Sequence, residues 1–130
     1  MSSSSRVRLL ARIVFAIGAV VVLVGSLTPA ADMPEIGVSD KLQHFGAYAA
    51  LAFVAVLAWP SRQPLGLVLI GLAVAGPVIE LLQLLVPGRS ASVVDAVADV
   101  VGVTVGAAIA LVIRSRLSRG RDDAVSDPRR

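Results

Sequence analysis

Residues 65–86 read LGLVLIGLAVAGPVIELLQLLV, a run of 22 positions whose single charge is Glu80. A helix that crosses a bilayer needs about 20 mostly apolar residues. This stretch meets that length, and it is bounded by Pro64 before and Pro87-Gly88 after. Three further runs of the same kind flank it. One extends from about Ile13 to Leu27 and ends at Thr28-Pro29. One starts at Ser39, a candidate N-cap, and runs through Leu42, Phe45, Tyr48, Leu51 and Val54 to Trp59, with Pro60 as its stop. The last runs from about Val93 to Ile113. The expected fold is therefore all-α: a polytopic membrane protein built as a four-helix transmembrane bundle.

Composition agrees. The 130-residue chain is 56% hydrophobic and 16% charged, with a mean hydropathy of +0.84. Soluble domains carry roughly 25% charged residues, so a soluble globular enzyme and a disordered chain are both excluded. Cysteine is absent, which removes disulfides, thiolate metal ligands and thiol catalysis. The net charge of +3 invites a nucleic-acid reading, but the distribution opposes it. Eleven of the twelve basic residues are Arg, gathered mostly toward the two ends of the chain. That Arg usage hints at a GC-rich bacterial source.

The division expected is a basic segment 1–12, a membrane domain 13–113 and a disordered charged tail 114–130, with a polar turn over Ala31–Asp40 carrying Asp32, Pro34, Glu35 and Gly37. Ten basic residues fall on the side holding both termini, against Lys41 and Arg89 on the other. The positive-inside rule makes the ten-charge side, with both termini, cytoplasmic. The location expected is the bacterial cytoplasmic membrane, multi-pass. Arg6, Arg8 and Arg12 followed by an apolar run and Ala30-Ala31 also fit a signal peptide. Cleavage there would leave three spans in the same orientation.

The polar residues inside the spans carry the functional information. Asp40, His44 and Tyr48 follow one another at four-residue intervals and share a helix face. Lys41, the chain's only Lys, lies beside that face. Glu80 and Gln83 share a face of the next helix. Glu80 lies seven residues before Pro87, roughly 10 Å inside the helix end. A carboxylate at that depth costs about 2.5–3.5 kcal/mol on an insertion scale and should face protein or water. Gly76-Pro77 one turn earlier predicts a kink. Arg89 sits in the loop Pro87-Gly88-Arg89-Ser90-Ala91-Ser92 and suits a bidentate grip on phosphate or carboxylate. Asp95, Asp99, Gly102 and Gly106 share a face of the fourth helix, where the two glycines allow close helix packing. Asp99 lies at a depth like that of Glu80. The opposite halves of the helices offer no matching polar groups. An outward-open pocket lined by Asp40, Lys41, His44, Tyr48, Glu80, Gln83, Arg89, Asp95 and Asp99 follows.

Taken together, Asp40-Lys41-x-x-His44-Phe45-x-x-Tyr48, Glu80-x-x-Gln83, Pro87-Gly88-Arg89 and Asp95-x-x-x-Asp99-x-x-Gly102 resemble the VanZ-like family over roughly residues 13 to 113. The resemblance implies a small bacterial integral membrane protein, of a family whose namesake is associated with low-level teicoplanin resistance and whose biochemical activity is not established. The family pattern usually has Asn where this chain has Asp99. That adds a negative charge, for which Lys41 and Arg89 are candidate counter-charges.

Three functions fit these residues. The first is recognition or processing of an extracytoplasmic lipid-linked or cell-wall precursor ligand. Lys41 and Arg89 would hold acidic groups, and His44, Glu80 and Asp95 would orient it or shift protons. The second is a membrane-embedded hydrolase or transferase using the His44, Glu80, Asp95 and Asp99 cluster. Its ligand types suit a metal, but the spacing matches no recognised metal motif, so no metal and no cofactor is expected. The third is an accessory membrane protein whose polar cluster only fixes helix packing. The bilayer is the expected partner, nucleic acid is not, and oligomeric state is left open.

Overall fold

The computed structural model describes residues 3–33 and 37–125. Four helices follow in order: α1 Ser3–Ser26, α2 Asp40–Ala58, α3 Arg62–Gln83 and α4 Val93–Val125, with a 3-10 turn Ala30–Asp32 after α1. No strand occurs among the described residues. All four helices are long and apolar enough to cross a membrane.

Helix α2 is the centre of the bundle and packs most extensively on α4, then on α1, while α3 leans chiefly on α4. The buried face of α2 is Tyr48, Leu51, Ala52, Ala55 and Val56, the three-and-four spacing of one helix stripe. It meets Asp99, Gly102, Val103, Gly106, Ala107 and Ala110 of α4, which repeat at the same spacing. Small residues on both sides let the backbones approach, as membrane helices without a strong hydrophobic drive require. A Cβ on Gly102 would lie 2.5 Å from the Phe45 carbonyl oxygen, and one on Gly106 would overlap the Ala49 carbonyl. Outward, α1, α3 and α4 present Val20, Val21, Leu67, Ile70, Val74 and Val97 among many exposed apolar side chains. Such a surface suits lipid, not water.

Helix α3 lies over Arg62–Gln83 instead of 65–86, with Pro64 in its first turn, and two other boundaries move further. Helix α1 begins at Ser3 instead of near Ile13, and α4 continues to Val125 instead of ending at Ile113. The tail expected to be disordered from 114 is therefore helical as far as Val125. Hydropathy marks the apolar part of a helix, while Arg, Leu and Ala on either side propagate it further. The Pro34-Glu35 part of the expected turn, and the tail beyond 125, lie outside the described residues. Helix α3 passes through Pro77 as one helix.

The antiparallel course places the α1 C-terminus, the α2 N-terminus, the α3 C-terminus and the α4 N-terminus at one end. The other end is closed by side chains. The Arg12 guanidinium lies 5.7 Å from the Trp59 ring centroid and donates to the Ala58 carbonyl at 3.3 Å. Phe15 meets Trp59 edge-on, 5.1 Å between centroids. Arg114 donates to the carbonyls of Val56 and Pro60, groups that the end of α2 leaves without helical partners.

Candidate functional site

Three helices bring polar side chains to the first end. His44, one turn into α2, points its Nδ1 at α4 and donates to Asp99 Oδ1 at 3.0 Å. The same Nδ1 lies 3.6 Å from Glu80 Oε1 of α3. Glu80 is 3% exposed and Asp99 1%, so both carboxylates have left water. His44, Glu80 and Asp99 each offer a donor atom, all within 4.8 Å of one another.

The sequence shows how the cluster is held. Ser92 precedes the first turn of α4, and its Oγ accepts from the Asp95 backbone N–H at 3.2 Å, an ordinary N-cap. In a capping box the side chain three residues on would return the favour to the Ser N–H. Here Glu80 Oε2 takes that N–H instead, at 2.7 Å. Glu80 is thus tied to the start of α4, and Asp95 is released. Behind Asp99, Gly76 of α3 leaves room: a Cβ there would lie 2.6 Å from Asp99 Oδ2.

The cluster is electrostatically unbalanced. Among the described residues His44 alone forms salt bridges with Glu80 and Asp99. The counter-charge is therefore neither Lys41 nor Arg89. Glu80 Oε1, Asp95 Oδ1 and Asp99 Oδ2 are buried without a hydrogen-bond partner. Removing an ion from water costs several kcal/mol even after relaxation, and each unpaired oxygen adds to that.

Beside the cluster lies a cavity of about 350 Å³ between α1, α2 and α3. Asp40, Gln43, His44, Ala47 and Tyr48 form its α2 wall, and Val21, Val22, Gly25 and Ser26 its α1 wall. Gln83, Arg89 and Met33 complete it. Gln83 donates to the Ser26 carbonyl at 2.9 Å. Arg89 donates through Nε to Thr28 and through Nη2 to Gly25, both at 3.1 Å. Two of its donors thus satisfy carbonyls at and just past the end of α1. Gly88, at φ 75°, sets the turn that delivers it.

Of the nine residues read as pocket lining, Asp40, His44, Tyr48, Gln83 and Arg89 line this cavity. Glu80 and Asp99 sit behind His44. Asp95, half-buried at the start of α4, does not line it, and Lys41 is exposed and outside it. Gly102 and Gly106 pack α4 on α2. The sequence reading missed the roles of Gly76 and Ser92. Ser92 was legible as an N-cap three residues before Asp95. Gly76 was not, because its neighbour belongs to another helix.

The fold and this buried polar end define a multi-pass α-helical membrane protein with its ionisable groups gathered at one end. The VanZ/LLP1 family model matches residues 7–114, and the chain belongs to that family. No curated protein and no solved structure matches it.

Proposed function

We propose that the chain recognises the polar part of a lipid-linked or other cell-envelope ligand, entering from the extracytoplasmic face. The observation that carries this reading is the 350 Å³ cavity, which joins an apolar α1 wall to polar groups from three other parts of the chain. A ligand with a lipid tail and a polar head needs both. The orientation follows from charge: Arg6, Arg8, Arg12, Arg62, Arg114, Arg116 and Arg119 belong to the closed end, which the positive-inside rule puts in the cytoplasm. The open end then faces outward, where envelope precursors are displayed. A role in glycopeptide tolerance fits that placement.

The test fills the cavity without touching a charge. Wild type and Ala47→Trp are expressed at matched membrane levels in a glycopeptide-susceptible bacterium, and the teicoplanin inhibitory concentration is measured. Wild type raises it and Ala47→Trp does not. Equal protection by both would remove the cavity from the function. Absence of protection by wild type would remove the resistance role. Mass spectrometry of lipids retained by the two purified proteins then reads ligand occupancy directly.

A further inference from the structure

We propose that His44, Glu80 and Asp99 form a binding site for one divalent transition-metal ion of the zinc or manganese type. The three residues lie on three helices. Their donor atoms nonetheless converge within 4.8 Å, at separations of 3.0 Å for His44 Nδ1 to Asp99 Oδ1 and 3.6 Å for His44 Nδ1 to Glu80 Oε1. A tetrahedral ion with bonds of about 2.0–2.1 Å sets its donors about 3.3–3.4 Å apart. The two observed distances bracket that value. The third separation, Asp99 to Glu80, lies within 4.8 Å, and the two carboxylates would draw together on the ion.

The unpartnered atoms point the same way. Glu80, 3% exposed, and Asp99, 1% exposed, each keep one oxygen without a hydrogen bond. Glu80 Oε1 is the oxygen that faces His44 Nδ1 and would ligate directly, while Asp99 Oδ2 is the partner of Oδ1, the oxygen nearest that nitrogen. Two carboxylates and a neutral imidazole also carry the charge that a divalent ion cancels, and no Lys or Arg among the described residues does so. One nitrogen with two carboxylate oxygens suits zinc or manganese better than the softer, thiolate-seeking ions.

The outer contacts are already those of a ligand set. Ser92 N–H holds Glu80 Oε2 at 2.7 Å, and Gly76 seats the Asp99 carboxylate against α3. Such contacts fix ligand orientation at metal centres. Coordination through His44 Nδ1 places the ring proton on Nε2. His44 also lines the cavity, so one ligand of the site borders it. The site stands independently of the ligand reading above.

The test uses the full, untagged chain in detergent, stripped with chelator and titrated with Zn²⁺ or Mn²⁺ by calorimetry. Wild type binds one equivalent. Asp99→Asn and Glu80→Gln keep the shapes, and they weaken binding by more than the roughly 10–100-fold expected for loss of an outer-shell partner. His44→Cys supplies a positive signature. The chain has no other Cys, so Co²⁺ added to this variant gives a sulfur-to-cobalt charge-transfer band that wild type lacks. Failure of wild type to bind either ion overturns the proposal. So does equal affinity in Asp99→Asn and Glu80→Gln, or the absence of that band in a folded His44→Cys. Metal binding without teicoplanin protection, and without any lipid retained by wild type, removes the ligand reading and keeps the site. Protection sensitive to Ala47→Trp in a chain that binds no metal does the reverse.

Discussion

Gly106→Ala isolates the contact on which the bundle depends. An added Cβ would fall 2.7 Å from both the carbonyl carbon and the Cα of Ala49, where ordinary contact begins at 3.4 Å. The obstacle is backbone, so no side chain can rotate away. The Ala49 carbonyl oxygen lies nearer still, so helices α2 and α4 must separate, and overpacking of this kind costs typically 1–3 kcal/mol. In water, Ala would recover up to about 1 kcal/mol of helix propensity over Gly. In a bilayer the separated helices stay helical, so little of that gain is realised. The net expectation is a loss of about 1–3 kcal/mol. Gly102→Ala acts at the same crossing, 2.5 Å from the Phe45 oxygen and 3.2 Å from the Ala49 nitrogen. Once one substitution has parted the helices, the second meets less resistance, so the double variant loses less than the sum. Gly66 and Gly71 are the controls, since an added Cβ meets nothing within 4 Å at either. Their Ala variants should stay within about 0.5 kcal/mol of wild type. Unfolding by SDS in mixed micelles is followed through the single Trp, Trp59, whose ring loses Phe15 and Arg12 when α1 and α2 part. Unchanged unfolding of Gly106→Ala, or an equal shift in Gly71→Ala, would refute the reasoning.

Two other substitutions probe the open end. Gly76→Ala adds a carbon 2.6 Å from Asp99 Oδ2 and 2.7 Å from its Cβ, so it displaces Asp99 from His44. Teicoplanin protection and metal affinity should both fall at normal expression, whereas Gly71→Ala on the same helix leaves both unchanged. Arg89→Ala removes two charge-assisted bonds to the end of α1 and should cost about 1.5–3 kcal/mol in the SDS titration. Arg89→Lys should recover only part of this, because one ammonium on a flexible stem lacks the fork that reaches both carbonyls.

The fold is legible in the sequence because each span satisfies its own backbone. Hydropathy then locates the helix without knowledge of its neighbours. The boundary errors at Ser3 and Val125 come from the same source, since a helix outlasts its apolar stretch when good helix formers follow. The site is legible only in part. Depth along each helix places Glu80 and Asp99 at one level, and spacing places Asp40, His44 and Tyr48 on one face. Neither gives the rotation of one helix against another. That rotation decides that His44, not Lys41 or Arg89, meets Asp99. It also turns Glu80 toward the Ser92 N–H and puts Gly76 behind Asp99. Arg89 has the residue type of a phosphate grip, yet two of its donors are drawn to carbonyls of the helix end beside it, a competition visible only once α1 and the loop are adjacent.

The arrangement of the core favours the proposed recognition role over transport. Beyond Tyr48 the interior is Leu51, Ala52, Ala55, Val56, Val103, Ala107 and Ala110, each at most 6% exposed. The buried polar side chains of the described residues are Glu80, Gln83 and Asp99, all at the open end. An ion moving through the bundle would leave the carboxylates and cross a close-packed apolar layer with no group to replace its hydration, at a cost of several kcal/mol or more. It would then meet Arg12, Trp59 and Arg114 across the exit. The packing that closes this route also benefits a site used from one side. Gly102 and Gly106 bring α4 onto α2 tightly enough to exclude lipid and water from below His44. A group bound beside His44 would then feel the carboxylates behind it through a low-dielectric setting, where charge and hydrogen bonding discriminate most strongly.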